Sequence, residues 1–304
     1  MKSVKKLLLL TVIALSAFNV EGQVRNVINN NLFWSELVFA GPIKNKFAYS
    51  LDLQYRRRAF GSGNTAATDA DHSNIFKVPF QYVIRPWLHY AYSPKLKFSL
   101  SPVGLWFNFK DDSPKAGVPT TFQPELRVCA QATFNDDYGR VNITQRFRYE
   151  YRMFGNKMPI NGGDFDVFDG YSFNDPGYQP KQRIRAFVRA NIPLQSNTMK
   201  EMQPHQFYIS IFNEMFINAG KNVGNNIFDQ NRFLTSLGYK VCPDVRIELG
   251  YLNQLAFQNV GKSGVQDVFR NDVLQFYLFF DNFNKFFKKS EVKEEKKEDP
   301  KNLK

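Results

Sequence analysis

A repeated alternation of polar and apolar residues constrains this chain more than any other feature of its sequence. Between residues 29 and 283 the alternation recurs about eleven times, in segments of roughly ten to fifteen residues separated by turns or loops. In the segment 141–152, Phe147 and Tyr149 fall on one face, and Arg146 and Arg148 fall on the other. Strands of soluble proteins are about half this length. Long strands with one charged and one aromatic face predict a transmembrane β-barrel.

The predicted strands follow one another in an up-and-down order. We place them near 31–40, 45–59, 75–91, 95–109, 121–135, 138–154, 181–194, 205–218, 229–241, 244–257 and 270–283. Short turns alternate with long polar loops, as expected for the periplasmic and outer ends of an outer-membrane barrel. The number of these strands is odd, whereas single-chain bacterial barrels have an even number. We therefore predict an all-β, antiparallel up-and-down barrel of about 12 strands, with about ten as the alternative. Either one strand lies uncounted within 23–31 or 155–180, or one of the eleven segments is wrongly divided or joined.

The two ends of the chain differ in composition from the barrel region. Residues 1–6 are basic and 7–17 are apolar, which predicts a signal peptide at 1–22, with an uncleaved N-terminal anchor as the alternative. The predicted barrel occupies 23–283. The segment 284–304 is rich in lysine and glutamate and has no apolar face, so we expect a disordered tail in the periplasm. Export and strand pattern together place the protein in the outer membrane of a Gram-negative bacterium.

The formal net charge of +12 narrows the range of partners. A basic chain often binds nucleic acid, but here the arginines alternate with lipid-facing residues inside the strands of an exported protein. We therefore expect no nucleic-acid partner. The expected partners are outer-membrane lipid and lipopolysaccharide, whose phosphates attract a basic rim. The sequence leaves the oligomeric state open.

The residues predicted to face the interior are rich in charge. The candidate lumen-lining residues are Arg56, Arg85, Glu125, Arg127, Arg146, Arg148, Glu150, Arg183, Arg185, Arg189, Glu214, Arg232, Arg246 and Glu248. Arginine stays protonated and cannot act as a general acid or base, so this set indicates recognition or structure. One interpretation is an anion-selective pore. The other is that arginines and glutamates of facing strands pair and fill a narrow bore, since buried charges need partners.

Candidate catalytic and metal-binding residues are sparse. Among the three histidines, His89 is predicted to face inward, but no carboxylate is spaced to orient it. The segment 164–169 resembles a calcium loop without the terminal acidic ligand. Cys129 and Cys242 are separated by four predicted strands, so we expect neither a disulfide nor a metal site. We predict no catalytic residues, no cofactor and no metal.

Several short motifs, taken in order, resemble a known family. They are Trp34, Arg56-Arg57-Arg58, Gln145–Glu150, Phe212–Asn218, Gln230-Asn231-Arg232, Gly238-Tyr239 and Gly250–Gln254. Together they are similar to the "domain of unknown function 2490" family of outer-membrane β-barrels, common in Bacteroidota, over residues 31–283. The resemblance implies an outer-membrane barrel and supplies no established activity. Glu214 and Arg232, on neighbouring strands, are expected to form a cross-strand ion pair.

Three functions are compatible with these features. The first is a narrow polar channel that prefers anions, because inward arginines outnumber inward glutamates. The second is a non-conducting structural or docking barrel that binds a protein through its long outer loops, above all 155–180, which carries five aromatic residues: Phe165, Phe168, Tyr171, Phe173 and Tyr178. The third, a lipid-modifying outer-membrane enzyme, requires His89 to be essential.

Overall fold

The computed structural model of the protein describes residues 24–60, 67–110, 120–160, 180–221, 223–261 and 264–286. The predicted signal peptide, the aromatic residues of the 155–180 loop and the tail beyond residue 286 lie outside these ranges. The described elements are β1 (Arg25–Lys44), β2 (Phe47–Arg58), α1 (Asp69–Ser73), β3 (Val78–Ala91), β4 (Leu96–Lys110), β5 (Thr121–Tyr138), β6 (Val141–Phe154), β7 (Met158–Pro159), β8 (Lys181–Pro193), β9 (Phe207–Ala219), β10 (Phe228–Cys242), β11 (Val245–Val260) and β12 (Gln266–Phe280).

The strands form one sheet that closes on itself, which confirms the predicted all-β barrel. Neighbouring strands pair antiparallel around the ring, with β4 against β5 and β6 against β8. The ring closes where β1 pairs with β12 in parallel, from Arg25 opposite Gln266 to Phe39 opposite Phe280. Among the described residues, no helix has the length and apolar character needed to span a membrane.

The sheet has twelve strands, but only eleven of them form the closed ring. The twelfth, β7, falls within the predicted interval 155–180, yet it has two residues and pairs only with Thr121 and Phe122 of β5. An additional strand was expected to make the ring even, and that expectation was wrong. In an odd up-and-down ring the first and last strands run in the same direction, so parallel pairing of β1 with β12 closes it.

The two faces of the sheet differ sharply in chemistry. Along β6, Tyr149 is 42% exposed on the outer face, whereas the next residue, Glu150, is 0% exposed inside the ring. Large apolar side chains also line the outer face on the other strands, including Phe98, Leu100, Ile184, Leu237, Leu249 and Leu274. Phe122 lies on the same outer face but is 0% exposed. It is buried because Phe107 and Phe109 pack on its ring and β7 pairs alongside it.

A β-bulge in β4 determines which of its side chains enter the barrel. The register with β5 shifts between Ser101 and Gly104. At the bulge two residues of β4 lie opposite a single residue of β5. The alternation of inward and outward side chains along β4 is therefore reversed beyond this point. Trp106 and Lys110 consequently face the interior. The Trp106 ring also packs close to Gly104, where an added Cβ would lie 2.5 Å from the indole.

The segment that follows β12 covers the short-turn end of the parallel seam. The ring of Phe283 packs against Phe39 and Phe280, at centroid distances of 4.8 and 5.9 Å. Asn284 accepts a hydrogen bond from the Tyr49 hydroxyl and donates one to the carbonyl of Pro42. These contacts join β1, β2 and β12 on the outer surface of the barrel. We call residues 281–286 the seam clasp.

Inside the ring, one side of the barrel carries an apolar cluster. Its buried members are Leu32, Trp34, Phe187, Phe212, Leu234, Leu252 and Val273. Apart from Phe187 on β8, they belong to β1 and β9–β12, the strands on either side of the parallel seam. The opposite interior surface, formed by β2–β6 and β8, is dominated by charged residues. The charged candidates therefore share the interior with an apolar core.

Candidate functional site

The charged side of the interior is organised around buried carboxylates. Glu150, on β6, lies opposite Arg183 of β8 in the strand register. Arg183 Nη2 lies 2.6 Å from Glu150 Oε2, and Arg185 Nη1 lies 2.6 Å from Glu150 Oε1. Arg127 and Arg148 extend the cluster at 3.6 and 3.8 Å. One carboxylate thus holds guanidinium groups from three strands, which compensates part of the cost of burying the charges.

Two further carboxylates continue this network toward both ends of the barrel. Glu125 accepts hydrogen bonds from Arg127 at 2.6 Å and from Arg152 at 2.7 Å. Glu214 accepts one from Arg146 at 2.6 Å and a bidentate pair from Nε and Nη2 of Arg185. Because Arg185 also binds Glu150, the clusters around Glu150 and Glu214 are joined. Bidentate arginine–carboxylate pairs fix direction as well as distance, so the side chains are locked in place.

Separate carboxylates organise the other parts of the interior. Asp52, on β2, accepts hydrogen bonds from Arg85 at 2.8 Å and from the Trp87 indole at 2.9 Å. Near the short-turn end, Glu248 accepts bonds from the Tyr208 hydroxyl at 2.7 Å and from Arg189. Each carboxylate therefore receives donors from more than one side chain.

Glycine makes the Tyr208 contact possible. An added Cβ on Gly238 would lie 2.2 Å from the Tyr208 ring, so only glycine leaves room for that ring to cross β10 toward Glu248. Arg246, another predicted interior residue, forms a bidentate pair with Asp281 of the seam clasp at 2.6 and 2.8 Å. It therefore connects the end of the barrel to the segment after β12.

The predicted ion pair between Glu214 and Arg232 was wrong. The two residues do lie directly opposite each other on β9 and β10, but Glu214 is engaged by Arg146 and Arg185 instead. The Arg232 guanidinium carbon lies 5.0 Å from the Trp34 ring centroid and 4.6 Å from that of Phe216. Arg232 is thus held by aromatic faces and amide groups rather than by a carboxylate.

A cavity of about 810 Å³ runs along the interior. It is lined by all the candidate lumen residues except Glu150, Arg246 and Glu248, which lie in the wall or near its end. Its basic lining residues are Arg56, Arg58, Arg85, Lys97, Lys110, Arg127, Arg146, Arg148, Arg152, Arg183, Arg185, Arg189 and Arg232, whereas the acidic ones are Glu36, Asp52, Glu125 and Glu214. The excess of basic groups gives the cavity a positive potential.

The cavity extends over nearly the whole length of the barrel. Lys97 and Lys110 both line it, and they stand near opposite ends of β4. Thirteen residue steps at about 3.3 Å, on a strand tilted by about 40°, correspond to about 33 Å along the barrel axis.

Several interior residues were missing from the candidate set. Glu36 and Asp52 alternate in phase with inward residues of their strands, so the period-two pattern could have identified them. Lys97 carries the same signal. Lys110 and Trp106 could not be assigned in this way, because the bulge in β4 changes the alternation before they are reached.

His89 lies between two serines. Its Nε2 is 3.0 Å from the Ser50 hydroxyl, and its Nδ1 is 2.7 Å from the Ser99 hydroxyl. Both ring nitrogens are thus engaged by hydroxyl groups, which differs from the nucleophile–histidine–carboxylate chain of hydrolases. Within the described ranges, no group of histidine, cysteine and acidic residues has metal-site geometry, and Cys129 and Cys242 are both free.

The closed ring and its basic cavity define the chain as a β-barrel protein. The family model described as "Protein of unknown function (DUF2490)" matches residues 31–264, and the chain belongs to that family. The predicted family is thereby confirmed. A search of curated proteins found no match.

Two solved structures of the ferric enterobactin receptor PfeA are similar to the chain. A mutant receptor from Pseudomonas aeruginosa is 10% identical, with a TM-score of 0.25, over 71% of this chain and 35% of the receptor. The receptor in complex with BCV-L6 is 13% identical, with a TM-score of 0.26, over 71% of this chain and 36% of the receptor. The chain thus spans about a third of the length of the receptors it matches.

Proposed function

We propose that the protein spans the outer membrane of a Gram-negative bacterium and provides a narrow passage that favours small anions. The apolar outer face supports the membrane location, because exposed rings and aliphatic chains would be costly in water. The 14 residues of β6 extend about 33 Å along the axis at a tilt of about 40°. That length matches an apolar band of about 25 Å with its flanking aromatic residues.

The orientation follows from the connections. The long loops face the outside, where lipopolysaccharide is the neighbouring lipid, and the short turns face the periplasm together with the charged tail. In this orientation β1 begins at the outer end. Membrane lipid and lipopolysaccharide are then the immediate partners of the barrel.

The main support for the proposed passage is that residues from both ends of one strand line the same cavity. Lys97 and Lys110 define a route about as long as the apolar band, since both line the same cavity. The route is mainly bordered by guanidinium and ammonium groups. A positive lining raises the local concentration of anions and lowers that of cations, so the passage is expected to prefer anions.

A non-conducting docking barrel is the second candidate. It is favoured by the apolar cluster, which occupies part of the interior, and by the ion pairs that consume much of the arginine charge. In that case a protein partner binds the outer loops, with the aromatic segment 155–180 as its contact.

Single-channel recording separates the two functions. The protein without residues 1–22 is refolded, checked for heat-modifiable mobility on gels, and inserted into a planar bilayer under a potassium chloride gradient. Steady openings with a reversal potential toward that of chloride are the expected result. A folded but silent barrel would support the docking function, and a cation-selective current would contradict the proposed lining.

The protein is proposed to carry out no covalent chemistry. His89 is the residue that an enzymatic function would require, and its hydroxyl partners do not orient it as a base. His89→Ala is expected to leave conductance and folding within about twofold of wild type, because it breaks only neutral hydrogen bonds. Loss of a lipid-modifying activity in this variant would instead establish an enzyme.

A further inference from the structure

We propose that the interior contains a binding site for a tetrahedral oxyanion, the phosphate group, between Arg56 and Arg232 beside the indole of Trp34. The site gives the proposed anion passage a preferred ligand. Only the physiological role of the site rests on that proposed function. Its ligand chemistry can be measured in the folded protein without any current.

The site is assembled from three strands. Trp34 of β1 lies directly opposite Arg56 of β2 in the strand register. The guanidinium carbon of Arg56 lies 4.1 Å from the Trp34 ring centroid, and that of Arg232, from β10, lies 5.0 Å from it. All three side chains line the cavity. Two cations are thus gathered at one aromatic ring, on the boundary between the charged and apolar sides of the interior.

Charge pairing separates these two arginines from those of the neighbouring network. Arg85, Arg127 and Arg185 each form an ion pair with a carboxylate at 2.8 Å or less. Among the described residues, no carboxylate forms an ion pair with Arg56 or Arg232, which donate instead to neutral amides.

Among the described residues, neither guanidinium has a carboxylate within ion-pair distance; the acidic groups nearby, Glu36 for Arg56 and Glu214 for Arg232, attract them only at longer range. Arg56 binds Gln54 and Gln81, and Arg232 binds Gln230. Buried charges are normally compensated by an opposite charge, so the cavity beside them is the natural place for an anion.

A further polar group at the site lacks a partner. Trp34 is 3% exposed, and its Nε1 has no hydrogen-bond partner in the described structure. A buried indole N–H without an acceptor is costly. A bound oxyanion supplies an acceptor for this N–H and a negative charge between the two guanidinium groups.

The donor set selects the chemistry of the ligand. Guanidinium groups present forked donors that match two oxygens of one anion. Two such forks require more oxygens than one carboxylate has, whereas a tetrahedral phosphate has four. Chloride has no directional oxygens and gains less from the forks.

Isothermal titration calorimetry with inorganic phosphate tests the site in the refolded barrel in detergent. Arg56→Gln and Arg232→Gln should each weaken phosphate binding about tenfold or more, because each removes charge-assisted hydrogen bonds. Both variants are expected to fold, since neither leaves a carboxylate without its partner. Lys200→Gln is the matched control, because it removes one positive charge at a side chain that is 82% exposed outside the cavity.

The outcomes discriminate the site from a general positive field. Phosphate binding that falls in both arginine variants and stays within about threefold in Lys200→Gln supports the site. Equal losses in all three variants, or no binding to wild type, overturns it. A parallel titration with glucose 6-phosphate identifies the source of the group. Binding of both probes indicates a phosphorylated solute, and binding of inorganic phosphate alone indicates the free ion.

The phosphate site and the anion passage can be contradicted by separate measurements. A barrel that conducts chloride but binds no phosphate leaves the passage intact and removes the site. A silent barrel that binds phosphate, with the loss in both arginine variants, keeps the site and removes the passage. Arg232→Lys adds a further discrimination, because it retains the charge but not the fork. It should recover less than half of the lost binding free energy if bidentate geometry matters.

Discussion

The two sides of the barrel interior are filled with different kinds of side chain. On β2–β6 and β8, the polar wall consists of arginines gathered around Asp52, Glu125 and Glu150, together with Glu214 from the neighbouring strand β9. On β1 and β9–β12, the apolar wall consists of packed side chains such as Leu234 and Leu252. The first side keeps charges at fixed positions along a cavity, and the second is a hydrophobic core placed inside the ring. The comparison indicates that one side of the interior is stabilised by ion pairs and the other by hydrophobic packing, and residues of both sides line the cavity.

Removal of the central carboxylate should break the polar wall. Glu150→Gln keeps the shape of the side chain but leaves Arg183 and Arg185 without their shared negative charge. Because these guanidinium groups are buried, the free energy of unfolding should fall by about 3–5 kcal/mol. Urea unfolding in lipid vesicles measures it. Glu201→Gln, at an exposed residue of the β8–β9 connection, is the control and should change it by less than about 0.5 kcal/mol. Equal effects would mean that the network contributes no stability.

A truncation in the apolar wall should be nearly as costly. Leu252 is 1% exposed, whereas Leu249 on the same strand is 54% exposed on the outer face. Leu252→Ala is expected to lower the free energy of unfolding by about 2–5 kcal/mol, because it leaves a cavity in a packed core. Leu249→Ala should cost about 1 kcal/mol or less, since it opens no cavity. If both variants lost the same stability, the interior cluster would not be acting as a core.

The seam clasp should have a smaller and more local effect. Phe283→Ala removes ring contacts with Phe39 and Phe280, at about 0.5–1.5 kcal/mol for each aromatic pair. Amide hydrogen exchange should accelerate at the short-turn ends of β1 and β12. The amides of β5 and β6, measured in the same sample, are the internal control and should keep their rates. Uniform acceleration would show that the clasp stabilises the whole ring rather than the parallel seam.

The smallest expected effect is the loss of side-chain contacts in helix α1, outside both walls of the interior, when the pH is lowered. Hydrogen bonds from Lys77 and Thr68 lower the pKa of Asp71 to about 2. Because the pKa is lowered on folding, the contacts are fully present above the ordinary value of about 3.9 and are lost as the pH falls through about 2. The chemical shift of the Asp71 amide, followed by NMR, should show that midpoint, and Asp71→Asn should abolish the transition. A midpoint near 4 would contradict the hydrogen-bonded arrangement.

The sequence predicted the barrel because alternation with period two assigns residues to faces without knowledge of tertiary structure. Inward placement of Arg148, Glu150 and Arg183 follows from that period alone. The predicted even number of strands was wrong, because it assumed that the first and last strands of the ring pair antiparallel. The bulge in β4 and the burial of Phe122 under β7 depend on neighbouring strands.

The partners of the charged residues were also beyond the sequence pattern. Strand register placed Glu214 opposite Arg232, yet the side chains of Arg146 and Arg185 reach the same carboxylate and displace that pairing. Competition between long side chains is decided by three-dimensional geometry. The same competition leaves Arg232 beside Trp34, which made the phosphate site visible only in the structure.

Charge reversal at the two ends of the cavity tests the proposed passage most directly. Lys97→Glu and Lys110→Glu place a negative charge at opposite ends of the route. Reversal potentials are compared with wild type in one potassium chloride gradient. If anions follow the polar wall, wild type reverses toward the chloride potential, and each variant moves toward zero or the potassium potential. Unchanged reversal potentials in both variants would contradict a passage lined by these lysines.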